Sequence, residues 1–257
     1  MIQLKKPKEI ELMKISGKVT GAILHDLAEF IKPGISTMDI NKFVEERIYK
    51  EEMYPTFLGY NGFPAGACVS INDEIVHGIP DETRVLNEGD IVSVDIGATY
   101  KGWISDAART YPVGEISNEA KRLIDVTEKS FFAALMCCTE ENKLSDIGNA
   151  VQKVAEEAGY SVVRDFVGHG VGSKLHEDPQ VPNYGVPGRG PKLHRGMALA
   201  IEPMVNIGSY EAEVLLNNWT TVTKDGKLSA HYENTVIITD GKPEIITLDE
   251  RDNRGEG

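Results

Sequence analysis

Cysteines, basic runs and long apolar stretches are what this chain is short of. Its 257 residues hold three cysteines, two of them adjacent at Cys137 and Cys138. That is too few for the disulfide framework of a small secreted domain. The N-terminus, MIQLKKPKEIELMK, has no apolar signal core, and a reducing cytoplasm is the expected setting. No run approaches the roughly 20 apolar residues of a membrane-spanning helix. Lys and Arg number 27 against 40 Asp and Glu, a formal net charge of −13. With no basic block to grip phosphates, direct nucleic-acid binding is not expected. The glycines form no phosphate loop, because no Gly-Lys-Ser/Thr follows them, and HExxH is absent. The acidic surplus leaves two readings open: plain solubility, or carboxylates that hold metal or attract cationic ligands.

What is present is well organised. Pro7 opens the stripe Ile10, Met13, Gly17, Thr20, Leu24, Leu27 and Ile31, which predicts a helix over 7–31. Ser36 and Asp39 signal a second helix reaching about Met53. Residues 61–67 read as loop. DIVSVDIG (90–97) alternates as a strand, and strand-like residues resume from Trp103 to about Val113. Ser117 or Asn118 caps a third helix to about Cys138, and a fourth spans 145–158. GHGVG (168–172) and 177–191 read as loops, and MALAIEP (197–203) as a buried strand. Asp225-Gly226 reads as the turn of a hairpin. The polar tail, 248–257, is expected to be frayed and flexible.

The order helix, helix, strands occurs twice. Sliding the chain on itself by 107 residues puts Asp39-Ile40 on Asp146-Ile147 and Gly78-Ile79-Pro80 on Gly185-Val186-Pro187. Leu86 and Gly89 fall on Leu193 and Gly196, and Asp95 falls on Glu202. This predicts a single catalytic domain, 1–257, made of two similar halves, about 5–112 and 113–247. Asp95 and Glu202 would then face each other across a pseudo-two-fold axis.

Strand alternation puts Val92, Val94 and Ile96 on one face and Ser93 and Asp95 on the other. With a tight turn at Tyr100-Lys101, Asp95 would directly oppose Asp106. Facing carboxylates repel unless a cation or a shared proton lies between them; the alternative is that both sit on an exposed face. Glu202 and Glu233 occupy similar strand contexts, and a buried carboxylate without a partner is costly. Each alone reads first as half of a structural ion pair rather than as a ligand; all four together point to a shared metal. His169 sits among glycines that would let a metal approach, while His77 and His176 precede Gly-Ile-Pro and Glu-Asp-Pro in loops. His25 and His194 read as incidental. Oxygen-rich ligation with one imidazole suits Mn, Fe, Co or Zn.

The set Asp95, Asp106, His169, Glu202 and Glu233 resembles the five-ligand dinuclear site of the methionine aminopeptidases. The strings SINDEIVHGIP (70–80), DIVSVDIG (90–97), GHGVGSKLHEDPQVPNYG (168–185), MALAIEPM (197–204) and LSAHYENTV (228–236) agree with it, and the match covers roughly 5–247. The resemblance is to the short bacterial type I form. It implies the α+β pita-bread fold, with a dinuclear metal site between two pseudo-symmetric halves. It implies two divalent ions (Co, Mn, Fe or Zn) that polarise the scissile carbonyl, hold the free α-amine and promote a hydroxide nucleophile. Glu202 would also move a proton, His176 would stabilise the oxyanion, and His77 would contact the peptide and help protonate the leaving amine. Phe57, Tyr60, Phe63, Cys68, Leu175 and Trp219 would bind the methionine side chain. Phe57, Asn61, Leu175 and His231 depart from residues common at these places in bacterial members. The implied substrates are N-terminal Met peptides and nascent chains with a small second residue. The same resemblance implies a cytoplasmic monomer, transiently near the ribosome and off the membrane. The alternatives are a prolidase-like or proline-specific aminopeptidase, which usually carries a further N-terminal domain, and a non-catalytic binding protein of the same fold.

Overall fold

The computed structural model of the chain describes residues 1–252. Helix α1 (Pro7–Phe30) begins at the proline and buries Met13, Gly17, Thr20, Leu24 and Leu27, the face the stripe marked. Helix α2 (Thr37–Lys50) starts at a reciprocal cap: Asp39 N–H donates to Ser36 Oγ at 3.1 Å, and Ser36 N–H to Asp39 Oδ2 at 2.8 Å. Helix α3 (Asn118–Leu135) is capped by Ser117, and α4 (Leu144–Glu157) completes the set. The boundaries of α2 and α4 differ by 107 residues at both ends. The isolated bridges Ser36–Val85 and Lys143–Lys192 are offset by the same 107. Among the described residues, no helix is long and apolar enough to cross a membrane.

Helices α1 and α2 cover an antiparallel sheet of Tyr54–Pro55, Ile91–Tyr100, Ala67–Ile71 and Trp103–Pro112. Val92, Val94 and Ile96 pack beneath these helices with Leu24, Leu27, Ile40 and Val44. Ser93 and Asp95 therefore face the other half. Helices α3 and α4 cover a five-stranded sheet in the order Glu244–Ile245, Asn234–Ile237, Ala198–Ile201, Gly168–Gly170, Glu177–Val181. Leu123, Phe131, Ile147 and Val151 meet Leu199, Ile201 and Val236 there. The halves are stitched along one seam. Glu233 N–H donates to Ala108 O at 2.9 Å, and Ala108 N–H to Glu233 O at 3.3 Å. Asp106 N–H donates to Thr235 Oγ1 at 3.0 Å, and that hydroxyl donates to Asp106 O at 2.9 Å.

Four expectations need correction. The turn after Ile91–Tyr100 is Lys101-Gly102, both with positive φ (48° and 82°), closed by the Tyr100–Trp103 pair. Register therefore moves by two: Asp95 pairs with Ala108 and Asp106 with Gly97, which makes the carboxylates diagonal neighbours. The segments expected as loops contain the strands Gly168–Gly170 and Glu177–Val181. Their glycines permit close pairing, since a Cβ on Gly168 would lie 2.4 Å from Ala200 O and one on Gly170 2.2 Å from Asp178 O. Strands Thr221–Thr223 and Ser229–His231 flank Asp225-Gly226 but do not form a hairpin. Thr221–Thr223 pairs with Ala212–Val214 and Glu74–Val76, and Ser229–His231 with Met204–Asn206. The start of the tail is tied down: Arg251 Nη1 donates to Asp26 at 2.9 Å, and Asp252 contacts His25 at 2.6 Å. Residues 253–257 of the expected tail lie outside the described residues.

Candidate metal centre and substrate pocket

The seam brings the predicted ligands to one place. Asp95, Asp106, His169, Glu202 and Glu233 all line a cavity of about 250 Å³ between the halves. Ligand atoms of Asp106, His169 and Glu233 lie within 4.8 Å of one another. His169 Nε2 is 3.6 Å from Asp106 Oδ2 and 3.5 Å from Glu202 Oε1. Its Nδ1 is 2.9 Å from Gly170 O. A carbonyl only accepts, so Nδ1 carries the proton and Nε2 presents a lone pair to the cluster, the tautomer a metal ligand needs.

The electrostatics describe a site built for cations. Burial pushes the Asp106 carboxyl up to about 7, and the Asp95 hydrogen bond pulls partly against that. Asp95, Glu202 and Glu233 are pushed well above the ordinary range, first by burial and then by their neighbours' negative charge. Asp95 Oδ1, Asp106 Oδ1 and Glu233 Oε1 are buried without a hydrogen-bond partner among the described residues. Such orphaned acceptors cost free energy unless something positive meets them. Burial, with His176 nearby, lowers His169 to about 3, which keeps it neutral and able to ligate. Hard oxygens with one imidazole fit a divalent transition ion.

Phe57, Phe63, Cys68 and Leu175 are buried beside the cluster, with Tyr60 and Trp219 partly buried against them. All six line the same cavity. The Phe63 and Trp219 rings meet edge to face at 5.1 Å. This apolar, sulfur-bearing recess suits an unbranched thioether. His176 and His77 line the same cavity. His176 Nδ1 is 2.7 Å from Tyr60 Oη, which fixes the ring. His77 has φ +60° and packs edge-on against Phe166 and Trp219. Burial first, then His176, lowers its pKa to about 4.

Sequence reasoning missed two residues, one lining the cavity and one buried against its carboxylates. Phe166 lines the cavity against His77; its place two residues before GHGVG was the available signal. Sequence alone marks His231 as a departure from bacterial members and assigns it no role. It is 2% exposed, with Nε2 3.9 Å from Glu202 Oε2 and 3.8 Å from Glu233 Oε2. His25 and His194 lie elsewhere, beside Asp252 and Glu140.

Residues 11–240 match metallopeptidase family M24, and the chain belongs to that family. Within it the full-length likeness is to methionine aminopeptidases. The chain is 54% identical to the methionine aminopeptidase of Clostridium acetobutylicum, over 96% of this chain and 99% of the relative. It is 49% identical to methionine aminopeptidase 1 of Bacillus subtilis, over 96% and 99%. The crystal structure of the Thermotoga maritima methionine aminopeptidase superposes with a TM-score of 0.95 at 45% identity, covering 97% of this chain and 100% of that one. The prolidase of Pyrococcus furiosus has a TM-score of 0.75 at 21% identity; this chain covers 66% of its length, and the likeness shows the shared fold alone. The fold is thus the α+β pita-bread architecture, and family membership implies divalent metal use.

Proposed function

We propose that this chain removes the N-terminal methionine from newly made proteins and peptides, with a small second residue preferred, by metal-assisted hydrolysis of the first peptide bond. One observation carries the reading: an apolar, sulfur-bearing recess shares one cavity with a buried cluster of four carboxylates and one imidazole. Asp95, Asp106, His169, Glu202 and Glu233 would hold two divalent ions, Co, Mn, Fe or Zn. When bound, these supply Lewis acidity to the scissile carbonyl and lower the pKa of the attacking water.

The remaining work belongs to side chains. Phe57, Tyr60, Phe63, Cys68, Leu175 and Trp219 take up the methionine side chain and exclude water around it. Glu202, whose carboxyl is held by burial well above its ordinary range, moves a proton between the attacking water and the leaving amine. His176, oriented by Tyr60, donates to the oxyanion. His77 contacts the peptide and assists the leaving amine. The residue set supports one catalytic domain of two halves acting together, since each half contributes ligands. A monomeric, cytoplasmic enzyme working near the ribosome on nascent chains fits this chemistry.

The test is turnover of Met-Ala-Ser with each divalent ion, against a chelated control and a Pro-containing dipeptide. Turnover of the methionyl peptide that needs metal supports the reading. Activity surviving full metal removal, or preference for the proline substrate, overturns it. Glu202→Gln, His176→Ala and His77→Ala should each lower turnover; near-normal rates in all three sink the role assignments.

A further inference from the structure

A second cavity of about 540 Å³ adjoins the first and shares Val167, His169 and His176 with it. One wall is the outermost strand of the five-stranded sheet, through Asp178 and Gln180, with Lys174 beside it. The facing wall is the chain's own N-terminal segment, through Met1 and Gln3. That segment is fastened in place. Lys5 N–H donates to Gly196 O at 2.7 Å. The Lys5 ammonium donates to Glu177 Oε2 at 2.6 Å and to Gln3 O at 3.1 Å. The Lys5–Glu177 pair is nearly inaccessible, with side chains 3% and 6% exposed. The Met1 ammonium pairs with Asp178.

We infer that this trough is an extended-substrate subsite, which receives the polypeptide beyond its second residue as it leaves the scissile bond. The inference rests on the function proposed above and names what else that site binds. Three observations converge on it. The trough borders the catalytic cavity, with Val167, His169 and His176 lining both. Its lining is polar and of mixed character: Gln3 and Gln180 amides, the Lys174 ammonium, and the Met1 ammonium paired with the Asp178 carboxylate. A peptide backbone presents alternating N–H and C=O groups and needs both acceptors and donors. Contacts to backbone are also indifferent to side-chain identity, as an enzyme acting on many different chains requires. An outermost strand, finally, is where extended chains dock onto proteins.

The experiment compares kcat/KM for Met-Ala-Ser and for Met-Ala-Ser-Thr-Ser-Thr-Ser, in the metal-loaded enzyme and in two variants that fill the trough from opposite walls, Gln3→Trp and Gln180→Trp. The tripeptide rate is the internal reference for folding and chemistry. In the unmodified enzyme the longer peptide should be favoured by about three- to tenfold, the worth of roughly one to two hydrogen bonds. Both variants should bring that ratio close to one. A long-to-short ratio near one in the unmodified enzyme, or a ratio unchanged in both variants, overturns the subsite and leaves the aminopeptidase reading standing. Failure of the metal-loaded enzyme to cleave either peptide overturns both.

Discussion

The Arg109 guanidinium holds the backbone of Glu233 across the seam between the halves. Its Nη1 donates to Glu233 O at 2.6 Å and to Ala108 O at 2.8 Å. Nη2 donates to Asn234 Oδ1 at 2.8 Å, and the group lies 4.1 Å from the centre of the Tyr232 ring. One side chain thus fixes Glu233, just ahead of the strand Asn234–Ile237, to the strand that carries Asp106. Arg109→Ala removes all of these contacts and should cost about 1–3 kcal/mol of stability. Divalent-ion affinity should fall with it, and Arg109→Lys should recover only part, because a point charge cannot replace a planar fork. Thermal melts and metal titration calorimetry check this. Unchanged metal affinity in Arg109→Ala would remove the link between guanidinium and ligand.

Without metal, the carboxylate cluster makes stability fall as pH rises. Asp106 is raised to about 7 in the folded state, and Asp95, Glu202 and Glu233 are raised well above their ordinary values. The folded state therefore keeps protons that the unfolded chain has released, and stability is lost as pH climbs through the folded values. The buried histidines act oppositely: His169 and His231 fall to about 3 and His77 to about 4, so their contribution is lost below the ordinary imidazole value of 6.5. Above about pH 6.5 only the carboxylate effect remains. Tm of chelator-treated protein should fall as pH rises above about 6.5, and saturating divalent ion should raise Tm and flatten the slope. A chelated protein whose Tm is level across that window would contradict the burial of the cluster.

Much of this was legible in the sequence because the chemistry sits on regular elements. Ser36 and Asp39 announce α2, and the alternation of Val92, Val94 and Ile96 against Ser93 and Asp95 settles which face of that strand meets the other half. Register was not legible. It depends on whether Lys101-Gly102 or Tyr100-Lys101 makes the turn, and a lysine at φ +48° gives no compositional sign. The strands around His169 and Glu177 were hidden for a related reason. Their glycines signal loop to a local reading, yet they serve the close approach of neighbouring backbones. Phe166 could not be assigned locally because its partner, His77, is distant in sequence, and His231 because Glu202, which it meets together with Glu233, comes from another stretch of the chain.

Gly78 is a position where one methyl should damage the pocket. A Cβ there would lie 2.2 Å from Val69 O and 2.7 Å from its carbonyl carbon. Val69 N–H also donates to Gly78 O at 2.9 Å, so the backbones cannot separate freely. Val69 follows Cys68 and Gly78 follows His77, so relief of the clash must move a pocket wall. Gly78→Ala should cost about 1–3 kcal/mol and lower kcat/KM for methionyl peptides by more than tenfold, about 1.4 kcal/mol of transition-state binding. A melt and a steady-state assay suffice, and normal kinetics would show that the loop can yield elsewhere.

Lys5 and Glu177 tie the N-terminal segment to the loop that carries His176. Burial alone would raise the Glu177 carboxyl, but the Lys5 ammonium and the Lys174 N–H bring it below its ordinary value. Both side chains are buried, so each compensates the other's desolvation. Lys5→Met leaves a buried carboxylate alone and should destabilise by about 3–5 kcal/mol. Glu177→Gln should cost less, since an amide carries no charge. Lys5→Met combined with Glu177→Met should be more stable than Lys5→Met alone, because the second substitution removes the uncompensated charge. Denaturant midpoints of the single and double variants measure the coupling. Strict additivity of the two methionine substitutions would mean that the 2.6 Å contact contributes nothing beyond packing.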